Sequence, residues 1–423
     1  MATASSSPDS ALDSLPLGKR ELVVLLALLM SLNALGIDAM LPALDEIALD
    51  LGIGEGNERQ LIIAVYTITM GIGCLVPGSF ADRYGRRPII FLALVAFALL
   101  SLVTAMLTHF ETMLAVRALT GLLGAGLMVA PMAIVRDLYE GDAMARMMST
   151  IAAVFISVPV FAPSLGQAIM LVGSWRLIFV ALALVAAGAA LWVWFRLPET
   201  LTEENRQQVN LPVIARNMVA ALFNRQSFGY VLGTAFLMGS VFGYVNSGQQ
   251  LYQEAFGVSD ATFPILFGAT AAMMSFTNLV NSRIVMRFGA RRVSHFGVLV
   301  FITVSAVQVW SSYAHPGNIA WFLPLMSVNL ALLGFLGANF GSIAMQPFAQ
   351  IAGSASSVQT FFRMFGAAMV GMVIGQQFDG TPIPFAWSLL MCSSTALLLV
   401  LYSERGKLFR RLNVQPPKER IVP

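Results

Sequence analysis

Residues 82–88 read Asp-Arg-Tyr-Gly-Arg-Arg-Pro, and residues 286–292 read Met-Arg-Phe-Gly-Ala-Arg-Arg. At an offset of 204 residues Arg83 meets Arg287, Tyr84 meets Phe288, Gly85 meets Gly289 and Arg87 meets Arg291. The offset is close to half of the 423-residue chain, so the two stretches mark an internal repeat. The second copy is degraded: Met286 stands for Asp82 and Ser282 for Gly78. Each copy is a short basic turn between two long apolar runs, the pattern of a loop on one face of a membrane.

Outward from these loops the composition points the same way. Hydrophobic residues make up 57% of the chain and charged residues 11%, against roughly 25% charged in an average soluble domain. Mean hydropathy is +0.76. So few charges cannot cover the surface of a soluble protein of this length, which excludes a soluble enzyme and a disordered chain. The net charge of +3 excludes a nucleic-acid binder. A helix rises 1.5 Å per residue, so about 20 apolar residues cross the hydrocarbon core. Twelve segments qualify: 21–44, 59–81, 88–108, 111–135, 145–171, 175–195, 226–252, 263–286, 293–313, 319–345, 355–378 and 383–403. The runs are continuous rather than alternating, which excludes a membrane barrel.

Basic residues orient the spans. Of the 25 Lys and Arg, 21 fall on the side of the two termini. Only Arg59 and Arg176 fall on the other side, where the loops are short and acidic, and Arg117 and Arg363 lie within spans. Both termini are therefore expected in the cytoplasm, and the absence of any N-x-S/T sequon fits a bacterial inner membrane. The expected division is a disordered tail (1–18), a six-helix bundle (19–195), a cytoplasmic linker (196–225), a second six-helix bundle (226–403) and a cytoplasmic tail (404–423). Parallel repeats of this kind place a substrate site near the membrane midplane between the halves.

With these residues in place the chain resembles the major facilitator superfamily. Gly78, Asp82, Arg83, Gly85, Arg86 and Arg87 follow its G-x-x-x-D-R-x-G-R-R signature between spans two and three. Arg117-Ala118-Leu119-Thr120-Gly121 follows the fourth-span pattern R-x-x-Q-G, with Thr120 where Gln is usual. Ala162-Pro163-Ser164-Leu165-Gly166-Gln167 loosely follows the fifth-span drug-antiporter pattern G-P-x-x-G-G. Asp38 with Leu41-Pro42-Ala43-Leu44, Val135-Arg136-Asp137-Leu138-Tyr139, Ala145-Arg146-Met147-Met148-Ser149, Trp175-Arg176 and Phe179 look like the Bcr/CflA drug-resistance group. The resemblance implies an all-α membrane protein of twelve transmembrane helices in two pseudo-symmetric six-helix bundles. It also implies a proton-coupled exporter of small lipophilic compounds. A carrier with a narrow native substrate, such as a metabolite or siderophore exporter or an uptake carrier, shares every motif and stays open.

Charges inside spans are few and informative. Asp38 lies six residues before Leu44, roughly 9 Å below the edge. Arg117 lies six residues after Glu111, also roughly 9 Å in, and Tyr66 seven after Arg59, roughly 10 Å in. Asp38 is expected to carry the coupling proton beside Arg117. Apolar surroundings favour the neutral carboxyl and a nearby cation the charged one, so a group between them can load and unload. The alternative is a static Asp38–Arg117 ion pair, or an Asp38 that caps the outer end of the first helix. Arg363, roughly 13 Å inside span eleven, has no acid in its own span and suits an electronegative substrate group or backbone carbonyls. Further cavity candidates are Asn33, Tyr66, Phe155, Phe236, Tyr244, Asn246, Asn339, Gln359 and Phe362. Pro159, Pro163 and Gly166 mark span five as a gating helix, and Pro131 is expected to kink span four. The resemblance implies that Asp82 meets the start of span eleven near Gly353 and Ser354 as a conformational latch. His109, His295 and His315 each stand alone at span edges, so no metal site is expected. No cofactor is expected and no catalytic constellation is visible, and a monomer in the bilayer, with substrate and protons as partners, is the simplest assembly.

Overall fold

Prolines decide where the first two spans break. The computed structural model describes residues 17–53, 56–139, 141–201, 203, 224–348 and 352–409. Its first helix, α1 (Lys19–Asp38), stops at Asp38. Four residues later Pro42 has no N–H to offer the Asp38 carbonyl. A 3-10 turn (Leu41–Ala43) and the short α2 (Leu44–Asp50) follow. The span expected over 21–44 lies within one apolar helical stretch, Lys19–Asp50, whose α-helical geometry is interrupted just after its carboxylate. Span two divides in the same way into α3 (Leu61–Gly73) and α4 (Pro77–Tyr84), bent by 46°. Pro77 removes the donor that the Gly73 carbonyl would have used.

Span four divides into α6 (Phe110–Gly124) and α7 (Gly126–Leu138). The helical assignment is interrupted at Ala125, six residues before Pro131, and α7 runs through the proline. Pro131 is the sixth residue of α7 and offers no N–H to the Leu127 carbonyl.

The remaining helices are α5 (Arg86–Ala105), α8 (Gly141–Met170), α9 (Arg176–Arg196), α10 (Arg225–Gln250), α11 (Phe263–Phe288), α12 (Ala290–Ala314), α13 (Ile319–Met345), α14 (Ala352–Gln376) and α15 (Ile383–Ser403). A π-helical turn, Leu251–Ala255, extends α10. Among the described residues nine helical stretches are long and apolar enough to cross a membrane, and the bent α3–α4 pair makes ten. The helices α8 and α14 stand where spans five and eleven are expected. The chain is a multi-pass membrane protein. Most of the predicted linker lies outside the described residues, as do most of the two predicted tails.

The repeat returns as a repeat of contacts. In the first half α1 packs on α8 and α7, α3 on α6, and α5 on α6 and α9. In the second half α10 packs on α14 and α13, α11 on α13, and α12 on α13 and α15. The halves touch through α3 against α14 and α8 against α11. Both crossings are backbone-close. A Cβ on Gly71 would stand 2.7 Å from the Phe365 nitrogen, and one on Gly268 would stand 2.5 Å from the Val160 carbonyl oxygen. Small residues at such crossings permit the van der Waals contact that replaces the hydrophobic effect between helices in lipid. Leu92, Leu184, Ile265, Phe296 and Leu398 are exposed on the outside of the bundle, as lipid-facing side chains must be.

Candidate functional site

Asp38 is buried, 4% exposed, at the end of α1. Gly166 of α8 lies against the Ala39 carbonyl, and a side chain there would collide with it. The helix expected to gate thus packs on the backbone beside the expected proton carrier. Because α1 ends at Asp38, its last carbonyls lack helical partners. Arg117 takes one of them: its Nη2 donates to the Gly36 oxygen at 2.9 Å. Its Nε donates to the Ile62 oxygen at 3.4 Å, and its guanidinium lies 4.1 Å from the centre of the Tyr66 ring. The Tyr66 hydroxyl donates to Asn33 Oδ1 at 2.7 Å, and Asn33 Nδ2 donates to the Gly124 oxygen at 3.1 Å.

Spans one, two and four therefore meet in one layer, as their spacing predicts. The static Asp38–Arg117 ion pair, one alternative to a proton-carrying Asp38, is not formed: among the described residues no hydrogen bond or ion pair joins them. Arg117 is held by carbonyls and a ring instead. Asn33 and Tyr66, expected to line a substrate cavity, are tied into this packing layer.

The face carrying the acidic loops is closed by a polar cluster across the halves. Arg59 bridges Asp45 of α2 and Glu254 of the π turn. Gln249 Nε2 donates to Asp45 Oδ2 at 2.6 Å, and Gln60 bonds Gln250. Asn57 Nδ2 donates to the carbonyls of Gln376 and Phe378 at 3.0 and 2.8 Å. Arg176 pairs with Asp50, and the Trp175 indole donates to the same carboxylate at 3.1 Å. The two arginines that stand against the basic-face bias are thus both met by acids of these loops. Arg59 as an inter-half bridge was not read from the sequence. Its signal was its isolation among Asp45, Glu55, Glu58 and Glu254.

On the basic face Asp82 pairs with Arg86 one turn on, and Arg86 Nε also donates to Asp137 at 2.9 Å. The side chains of Gly353 and Ser354 lie outside the described residues, so Arg86 is the described partner of Asp82. The backbone N–H groups of Arg86 and Arg87, the first of α5, donate to the Glu199 carboxylate at 2.8 and 3.1 Å. A carboxylate there satisfies orphan donors and meets the positive end of the helix. Gly85 holds φ 106°, and a side chain on it would strike that carboxylate. Arg87 Nη2 donates to the Trp194 oxygen at 2.5 Å, Arg83 lies over the Tyr84 ring, and Gly78 leaves room for Val129.

Glu199 follows span six as Glu404 follows span twelve, and Glu404 serves the second copy. It pairs with Arg291 at 3.0 Å and accepts the Tyr230 hydroxyl at 2.9 Å. The Phe409 N–H donates to His295 Nδ1, so Nε2 carries the proton and donates to the Tyr230 oxygen at 2.9 Å. His295 is therefore not an isolated edge residue; it is a buried member of this chain of bonds. Both glutamates were missed because each lies beyond the end of its apolar run, where a carboxylate reads as solvated.

A cavity of about 200 Å³ opens between α10, α13 and α14. It is lined by Val231, Thr234, Ala344, Gln359, Thr360 and Arg363, among others. Of the predicted cavity residues only Gln359 and Arg363 line it. Tyr244 bonds Tyr252 and Thr270 and stacks on Phe267 at 4.8 Å, inside the second half. Asn339 and Asn281 bond each other, both at 3.1 Å. Phe155 and Phe236 are half-buried against the core, and Phe362 packs edge-on against Phe361. Asn246 is buried beside Gly375, and among the described residues its amide has no hydrogen-bond partner. Pro159 and Pro163 lie within an unbroken α8.

Known proteins match this arrangement over nearly its whole length. A bicyclomycin resistance protein homolog from Haemophilus influenzae is 29% identical over 380 residues, covering 89% of this chain and 94% of that protein. A chloramphenicol resistance protein from Pseudomonas aeruginosa is 27% identical over 392 residues, covering 90% of this chain and 88% of its own. The fold matches that of a bacterial homolog to the human lysosomal transporter Spinster, in an inward-facing and occupied conformation. The TM-score is 0.68 at 14% identity, covering 95% of this chain and 97% of the other. The family profile described as Major Facilitator Superfamily matches residues 26–371. With the duplicated basic loop, the paired helix contacts and that match, the chain belongs to the Major Facilitator Superfamily.

Proposed function

We propose that the chain exports small amphipathic or lipophilic compounds, of the antibiotic-resistance type, in exchange for protons. The observation that carries this reading is the match along about nine tenths of the chain to relatives named for bicyclomycin and chloramphenicol resistance. Transport proceeds by alternating access with no chemical step on the substrate. The bundles 19–195 and 226–403, joined by the linker 196–225, rock about the α3–α14 and α8–α11 crossings. The acidic face is periplasmic and the basic face, with both termini, cytoplasmic in a bacterial inner membrane; the chain acts as a monomer. The Arg59 bridge closes the periplasmic side in this conformer.

Asp38 carries the coupling proton. It is buried, and among the described residues it has no hydrogen bond or ion pair that would hold it in one protonation state. Arg117 supports the reading from a distance: it shapes the layer and adds a positive field without neutralising the carboxylate. Substrate-induced proton release from purified protein, screened over antibiotics and metabolites, tests the proposal. Release with several unrelated lipophilic antibiotics is expected. Release with a single metabolite would mark a narrow carrier, and no release with any compound would refute proton exchange.

A further inference from the structure

We propose that Arg363, with Thr360 and Gln359, forms a subsite for the carboxylate end of an anionic amphipathic substrate. The inference rests on the transport reading above and names part of its substrate class.

The two arginines inside spans differ in one respect. Arg117 donates to two carbonyls and lies over a ring. Arg363 makes no hydrogen bond or ion pair with any described residue, and its Nε is buried without a partner. A buried N–H left unpaired is costly, so a guanidinium kept in this state is suited to a ligand that completes it. It lines the cavity of about 200 Å³ between α10, α13 and α14, whose described lining residues include no Asp or Glu to compete for it. The other polar wall atoms suit an anion. The Thr360 hydroxyl is unbonded among the described residues, and Gln359 uses one amide hydrogen on Ser227 at 3.3 Å, leaving the second free. Thr234 spends its proton on the Tyr230 carbonyl and contributes no donor.

The donor set is thus a planar fork, a hydroxyl and an amide N–H, which matches the two oxygens of a carboxylate. The volume is below the roughly 300–1,000 Å³ of a drug-sized pocket. It therefore holds a charged end, with Val231, Ala344 and Met345 receiving the first apolar atoms. Gly71 of α3 crosses α14 at Phe365, two residues from Arg363. The subsite therefore borders the interface that moves in the transport cycle.

The test uses the full chain purified in neutral detergent, titrated by fluorescence with naphthalene carboxylate and with its uncharged carboxamide. Wild type is expected to bind the carboxylate more tightly. Arg363→Gln is expected to weaken the carboxylate about tenfold to a hundredfold while changing the carboxamide by less than about twofold. Arg363→Lys keeps the charge without the fork and is expected to fall between. Thermal melts confirm that each variant is folded. Equal binding of the two probes by wild type, or an equal loss of both in Arg363→Gln, overturns the inference. Displacement of the carboxylate by added phosphatidylglycerol would assign the charge to lipid phosphate and also overturn it. Gradient-driven efflux of an uncharged lipophile by wild type tests the transport reading on its own, so the two fail separately.

Discussion

The guanidinium of Arg117 stacks 4.1 Å above the Tyr66 ring and donates to the Gly36 carbonyl, two residues before Asp38, without bonding Asp38 itself. A direct ion pair would give the carboxylate a permanent counter-charge. Stacking on Tyr66 leaves Asp38 without that counter-charge, which is what the proposed proton exchange requires.

Asp38→Asn keeps the size of the side chain and removes its ionisation. Gradient-driven efflux from cells or proteoliposomes is expected to fall to the empty-vesicle level, while substrate exchange without a gradient persists. Wild-type efflux under a pH gradient in this variant would remove Asp38 from the mechanism.

Tyr66→Phe leaves the ring under Arg117 and deletes the hydroxyl bonded to Asn33. One lost buried hydrogen bond predicts a cost of about 1–2 kcal/mol. Arg117→Lys loses the stack and the two-carbonyl fork together and is expected to cost more. Melting curves in detergent order the two variants; an unchanged melting temperature for Arg117→Lys would mean that the layer contributes little to the fold.

Closure of the acidic face rests on side chains that join the halves. Gln249 Nε2 reaches Asp45 Oδ2 at 2.6 Å. In a background lacking Cys74 and Cys392, cysteines at positions 45 and 249 are expected to cross-link with a short bifunctional thiol reagent and stop transport. Cleaving the reagent is expected to restore it. Transport that continues in the cross-linked protein would show that this face need not open.

Gly71→Ala places a methyl 2.7 Å from the Phe365 backbone nitrogen, where no flexible side chain can yield. Overpacking there predicts a loss of about 1–3 kcal/mol and a several-fold fall in transport rate. Gly188→Ala, whose Cβ meets nothing within 4 Å, is the matched control and is expected to be neutral or slightly stabilising. Equal behaviour of the two variants would contradict the crossing.

The helices were legible because each is a local property. A chain in hydrocarbon must satisfy its backbone within the helix, so apolar runs mark spans and arginines mark one face. The break after Asp38 was also within reach, since Pro42 stands four residues on, although the unbroken run of apolar residues conceals it. The shared depth of Asp38, Tyr66 and Arg117 followed from the 1.5 Å rise alone. Partners were not legible. Asn33 reads as a cavity amide and serves as a bond between spans; His295 reads as isolated and is enclosed by Tyr230, Glu404 and the chain beyond α15.

The sequence by itself determined where the apolar helices lie, which face is basic and that the chain is duplicated, and it singled out one acid and two arginines within apolar runs. Only the tertiary structure decided what those charges touch. Arg117 meets Gly36 and Tyr66, Arg59 joins the halves through Asp45 and Glu254, and Arg363 faces a cavity with its donors unspent. The reason is physical. Span position depends on hydropathy summed along the chain, whereas a buried charge takes its partner from whichever helix the packing brings within about 3 Å.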